Sequence, residues 1–259
     1  MKTAYFGDEH SHTYALASRE AGDTTLVGYK SISSAVEALS TGQVDQVVAP
    51  IENSVGGTVG ECIDSLKNND VYITAQYVMR ISHSLIAKEG TKKEDIKRIY
   101  SHPQALTQCE KYLRKNFPGV QLLPVGNTSE ALQIIKEKDE CAIARAPLDG
   151  QVALEEEIED LKSNYTKFVL IRKTPVLNGK IASIMFDIYH RPGALLEVLT
   201  VLAQNNINMN KLESRPARDG EFKYWFFVEF ECANGKEELL TVMQKLSEKV
   251  EFIKFLGTY

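Results

Sequence analysis

Gln46-Val47-Val48-Ala49-Pro50-Ile51-Glu52-Asn53-Ser54-Val55-Gly56-Gly57-Thr58 changes character midway: an apolar run of strand composition ends at Pro50, and a polar, glycine-containing junction follows. The same passage recurs at Gly7-Asp8-Glu9-His10-Ser11-His12-Thr13, at Ser101-His102-Pro103-Gln104-Ala105-Leu106 and at Asn127-Thr128-Ser129-Glu130-Ala131-Leu132. Each junction puts hydroxyl or amide side chains where a helix presents unpaired backbone N–H groups. Helix N-termini carry partial positive charge, so several directed at one cleft would receive a small anion, most naturally a polycarboxylate. Ordinary N-capping accounts for any one of them; the repetition points to a site.

Outward from these junctions, residues 1–173 alternate short apolar runs with amphipathic stretches, the pattern of a mostly parallel sheet with crossover helices. Strands are expected at Thr3 to Phe6, Thr24 to Tyr29, Gln46 to Pro50, Tyr72 to Ile86, Ile96 to Ser101, Gln121 to Val125, Cys141 to Ala144 and Phe168 to Arg172. Helices are expected at Ser33 to Ser40, Ala105 to Lys115 and Ser129 to Glu137. Ligands of such sheets bind beyond the carboxyl ends of strands, where the junctions fall. The long run Tyr72 to Ile86 suits a crossing between two lobes around a cleft. Residues 174–180 contain Pro and Gly and read as a linker. From 181 to 259 the order strand, helix, strand (Ile207 to Pro216), strand (Lys223 to Cys232), helix, strand is ferredoxin-like. Its open edge invites a second copy, so a homodimer or homotetramer is expected.

The 259 residues are 43% hydrophobic and 25% charged, with a formal net charge of -5. That excludes a basic nucleic-acid footprint. No run is long enough to span a bilayer and no apolar signal core opens the sequence, so a cytoplasmic protein is expected. Cys62, Cys109, Cys141 and Cys232 lack metal-ligand spacing and read as reduced packing residues. His10 and His12 flank Ser11 in a polar turn and are expected to face solvent.

Several stretches, taken in order, resemble prephenate dehydratase. They are Pro50-Ile51-Glu52-Asn53-Ser54, Ser101-His102-Pro103-Gln104-Ala105-Leu106 with Gln108-Cys109, Ile158-Glu159-Asp160, Asn164-Tyr165-Thr166-Lys167-Phe168, Arg191-Pro192-Gly193-Ala194-Leu195 and Glu213-Ser214-Arg215-Pro216. The resemblance implies an α/β fold: a two-lobed, periplasmic-binding-protein-like catalytic domain followed by a βαββαβ ACT domain. It implies decarboxylative dehydration of prephenate to phenylpyruvate, with phenylalanine as effector and no cofactor, since aromatisation drives the reaction. Thr166 is then the donor to the leaving hydroxyl, an oriented hydrogen-bond donor rather than a fully transferring acid. From residue pattern alone, Thr166 is equally a β-branched residue opening a strand.

Ser11, Thr13, Asn53, Ser54, Ser101, Gln104, Thr128, Lys167 and Phe168 form the implied substrate-binding set. Glu52 reads as an organiser of Asn53, and His102, ahead of Pro103, as a structural hydrogen-bonder. Gly193, Ala194, Leu195, Asn208, Asn210, Glu213, Ser214, Arg215 and Pro216 form the implied phenylalanine site. The chain departs from the family pattern at the first junction (Asp8, His10 and His12 among the changes), at Lys167 in place of arginine, and at Arg145 in place of a small residue. An arogenate dehydratase, another divergent prephenate-processing enzyme and a non-catalytic amino-acid sensor are the alternatives.

Overall fold

The computed structural model describes residues 1–216, 224–232 and 235–259. The first lobe is built from β1 (Lys2–Phe6), α1 (His12–Glu20), β2 (Thr25–Tyr29), α2 (Ile32–Ser40), β3 (Gln46–Asn53), β4 (Gly57–Thr58), α3 (Gly60–Asn68) and β5 (Tyr72–Arg80). The chain then crosses into a second lobe of β6 (Ser84–Lys88), β7 (Arg98–Ser101), α4 (Pro103–Gln108), α5 (Glu110–Asn116), β8 (Gln121–Pro124), α6 (Thr128–Ile134), β9 (Glu140–Ala144) and β10 (Gln151–Glu155). It returns to the first sheet as β11 (Tyr165–Arg172) and ends in β12 (Ile181–Asp187), α7 (Ala194–Gln204), β13 (Met209–Pro216), β14 (Tyr224–Glu231), α8 (Lys236–Ser247) and β15 (Phe252–Thr258).

The first sheet has the order β2-β1-β3-β11-β5 with β4 beside β3, the second β10-β6-β9-β7-β8, and the third β13-β14-β12-β15. Both lobe sheets are mixed: β1 pairs in parallel with β2 and β3, and β7 with β8 and β9, whereas β11 and β6 run antiparallel to their neighbours. β11 and β6 each follow a crossing between lobes, and the short β4 runs antiparallel to β3 within the first lobe. The expected run Tyr72 to Ile86 is divided at this crossing, because Ile81-Ser82-His83 leaves the first sheet before β6 joins the second. The expected helix Ala105 to Lys115 is likewise two helices. The Asp160 carboxylate accepts from the N–H groups of Lys111 (2.8 Å) and Tyr112 (3.0 Å) and starts α5 afresh. Helix α6 stops short of Glu137 because the Lys136 and Glu137 N–H groups turn to Glu140 Oε2, at 2.8 and 3.0 Å. Lys223, expected to open a strand, lies outside the described residues.

Alternation along β11 explains how three layers meet. Phe168 and Leu170 pack with Tyr5, Leu16 and Val48 under α1. Val169 and Ile171 point the other way, into a core shared with α2, α3 and the third sheet, which contributes Met185, Trp225, Phe227 and Leu256. The third sheet's opposite face carries Ile184, Phe186, Val228 and Phe230 against α7 and α8. It is therefore covered on both sides. No described helix is long and apolar enough to cross a membrane.

Candidate active site

An open cleft of about 960 Å³ lies between the lobes, lined among others by Ser11, Thr13, Asn53, Gln104, Thr128, Thr166 and Phe168. Three of the junctions supply ordinary caps as well as cleft wall. Ser11 Oγ accepts from Tyr14 N at 3.0 Å, His102 Nδ1 from Gln104 N at 3.2 Å, and Asn127 Oδ1 from Glu130 N at 2.7 Å. The capping atoms are thereby spent, and the donors left facing the cleft are the neighbouring residues Thr13, Gln104 and Thr128.

Asn53 organises the floor. Its Oδ1 accepts from Val55 N (3.0 Å) and Gly56 N (2.7 Å), which curls the junction and fixes the amide orientation. Its Nδ2 therefore faces Asn164 Oδ1 (2.8 Å), Tyr165 O (3.2 Å) and Thr166 Oγ1 (2.9 Å). An N–H aimed at the threonine oxygen turns the threonine's own proton elsewhere, so Thr166 is prepared to donate. Thr166 is only 7% exposed, with its surface at the cleft. Across the opening, Gln104 Nε2 approaches Gly56 so closely that a Cβ there would stand 3.1 Å from it. A side chain at Gly56 would push on the Gln104 amide by a few tenths of an ångström.

His83 and His12 complete the wall, their rings edge to face with centroids 6.0 Å apart. His83 lies 2.8 Å from Gln108 Oε1 through Nε2, and burial lowers its pKa. His12 Nε2 is 3.2 Å from Ser82 O. Burial, then the neighbouring His83, pull the His12 pKa down to about 4. Both rings are neutral at neutral pH. His12 is thus half-buried in the cleft wall rather than solvent-facing, because it is the first residue of α1 and that helix packs its N-terminus against the crossing segment. Sequence reasoning named neither His83 nor Gln108 as a site residue. The polar interruption Ser82-His83-Ser84 within an apolar run was the available signal.

Other expected residues stand apart from the cleft. Ser101 is fully buried at the end of β7, where its Oγ donates to Ile143 O at 2.6 Å. Ser54 Oγ accepts from Tyr165 N at 2.9 Å and ties the junction to β11. Lys167 is on the reverse face of β11, with Nζ 2.9 Å from Glu52 Oε2 and 3.9 Å from Glu229 Oε2. Strand alternation forces this, since Thr166 and Phe168 both face the cleft. The expected effector residues are divided in the same way. Glu213 Oε2 accepts from Thr58 Oγ1 at 3.0 Å and Arg215 pairs with Asp64 at 3.0 Å, both against the first lobe. Asn208, Asn210, Ser214 and Pro216 are exposed. Gly193 holds a left-handed turn (φ 83°) before α7, with Ala194 buried and Leu195 half-buried behind it.

The unusual residues of the first junction bridge the lobes. Ser129 Oγ donates to Asp8 Oδ1, whose carboxylate also receives His10 N at 3.0 Å. Arg145 Nε donates to His10 O at 3.2 Å. Arg145, its pKa lowered by burial, thus holds the first junction through Nε and is not among the residues lining the cleft.

Residues 3–176 match the family model described as prephenate dehydratase, and residues 182–248 match that described as ACT domain. The chain belongs to the prephenate dehydratase family. The bifunctional chorismate mutase/prephenate dehydratase of Pseudomonas aeruginosa is 34% identical over all of this chain and 73% of that protein. The prephenate dehydratase of Methanocaldococcus jannaschii is 37% identical over 82% of this chain and 80% of its own. The crystal structure of prephenate dehydratase from Arthrobacter aurescens in complex with L-Phe superposes with a TM-score of 0.91 at 25% identity, covering 99% of this chain and 89% of that one.

Proposed function

We propose that this prephenate dehydratase is a carbon–oxygen lyase in which Thr166 donates to the ring hydroxyl as it leaves, while carbon dioxide departs and the ring becomes aromatic. The carrying observation is the hydrogen bond from Asn53 Nδ2 to Thr166 Oγ1, which frees the hydroxyl proton for an acceptor in the cleft. Charge developing on the leaving oxygen is met by a donor already in position, which costs no reorganisation during reaction. Thr13, Gln104 and Thr128 are the donors for the carboxylates, with Ser11 shaping the first junction and Phe168 the apolar floor. Neutral His12 and His83 add no positive charge to a cleft whose lining includes Lys30, and hydroxyls and amide dipoles supply the rest of the hold on the carboxylates.

Regulation by phenylalanine belongs to the same reading, supported by the ACT match and by the L-Phe bound in the Arthrobacter aurescens relative. The turn at Gly193 and the exposed Asn208, Asn210, Ser214 and Pro216 are the residues we assign to the effector. A dimer or tetramer fits the edge position of β13 and the exposed Leu196 and Leu240. A cytoplasmic location fits the sequence. The test is purified protein with prephenate, following phenylpyruvate, with and without phenylalanine. Phenylpyruvate at the spontaneous rate alone would leave a sensor that binds without turning over.

A further inference from the structure

The side chains of β13 alternate half-buried and exposed from Met209 to Pro216. Three on its inner face reach the segment of the first lobe that carries the cleft junction: Lys211 to Glu52, Glu213 to Thr58, and Arg215 to Asp64. Glu52 is the point where this contact comes nearest to the proposed chemistry. Its Oε1 is 3.0 Å from Lys211 Nζ and its Oε2 is 2.9 Å from Lys167 Nζ. Lys167 in turn lies 3.9 Å from Glu229 Oε2, whose other oxygen accepts from Tyr259 O–H at 2.8 Å. Charges from the catalytic strand and from the regulatory sheet thus meet on one carboxylate.

The strand register shows what that carboxylate governs. Asn53 faces Thr166 and Glu52 faces Lys167, but Phe168 faces Pro50, so Ile51 bulges out of the ladder between them. A bulge gives up regular ladder pairing, and the residues beside it need other restraint. On the cleft side that restraint is the Asn53 amide; on the reverse side it is Glu52 with its two lysines. Burial pushes the Glu52 carboxyl up, yet Lys167 and Lys211 outweigh it and hold the pKa below its ordinary value. The group is a charged anchor.

We propose that Lys211 is a positioning residue for the dehydration: through Glu52 it fixes the bulged strand pair that aims the Thr166 hydroxyl, giving the regulatory domain a direct hold on turnover. The proposal rests on the role assigned to Thr166. An error of even a fraction of an ångström in a reacting group lowers rate more than binding, so the hold should read out in kcat. Lys211→Met keeps the stem and removes the charge, and Lys211→Arg restores the charge.

The experiment is steady-state kinetics with prephenate on the full chain, with melting temperature measured in parallel. For Lys211→Met, kcat should fall about tenfold with KM within about twofold of the parent, and Lys211→Arg should recover most of the loss. If Lys211→Met does not fold, Lys211→Gln is read instead. It keeps a polar head beside Glu52, removes the charge that pairs with it, and should lower kcat without raising KM. Unchanged kcat in a folded variant, or a loss confined to melting temperature, overturns the proposal. A parent chain that forms no phenylpyruvate overturns the Thr166 reading instead.

Discussion

Thr166 differs from an ordinary strand threonine by what touches its oxygen. With Asn53 donating into it at 2.9 Å, the hydroxyl acts outward. Thr166→Ala should lower turnover by about two orders of magnitude or more, the range of a lost proton donor. Its far-ultraviolet circular dichroism should stay unchanged, and Thr166→Ser should keep measurable phenylpyruvate formation. His12 carries a separate consequence for stability. Its folded pKa of about 4 lies below the ordinary 6.5, so the unfolded chain takes up the proton first as pH falls. The stabilisation is complete above pH 6.5 and is lost as pH drops toward 4, on the order of 3 kcal/mol in all. Urea melts between pH 7 and pH 4 should show a decline that is shallower in His12→Asn.

At the scale of elements, β3 and β11 hold Asn53 and Thr166 while α1, α4 and α6 bring Thr13, Gln104 and Thr128 to the same cleft, and β11 is held from both faces. Phe168 is 2% exposed between Tyr5, Leu16 and the cleft floor. Phe168→Ala should cost about 3–5 kcal/mol through the cavity it leaves, measurable as a shift in denaturation midpoint. The apolar centres of these strands were legible in the sequence, because Gln46 to Pro50 and Phe168 to Arg172 have strand composition and length, but their polar ends, Ile51 to Asn53 and Tyr165 to Lys167, were not read as strand. The crossing at Ile81-Ser82-His83 was foreseen in kind, since Tyr72 to Ile86 is too long for one strand of a small lobe. The orientation of Lys167 was not legible. Thr166-Lys167-Phe168 reads as a single motif, and alternation sends its middle residue to the far face. Ser101 escaped for a related reason, as a hydroxyl at a strand end suits a ligand or a buried carbonyl equally well. Gln151–Glu155 forms an unforeseen strand because a short half-buried edge segment carries no distinctive pattern.

Across the whole molecule, the regulatory sheet and the first lobe share one apolar core, whereas the second lobe has its own cores built from Leu85, Ile99, Leu113 and Ile143 and from Ile86, Ala131 and Ala142. Calorimetry should therefore show the first lobe and the regulatory domain melting together rather than as two transitions. Gly257 sits where the two touch: its φ is +120°, and a Cβ there would stand 2.1 Å from Ile73 O. Gly257→Ala should lower that shared transition by several degrees without moving residues of the cleft, which differential scanning calorimetry would register.

Trp225 and Leu256, lodged among residues of α2 and α3, make the chain indivisible in practice. A gene truncated after codon 173 would strip a greasy wall bare, and its product should collect in inclusion bodies. Anyone wanting an unregulated catalyst from this scaffold would do better to alter the turn at Gly193, which we propose meets the effector, than to cut the last domain away.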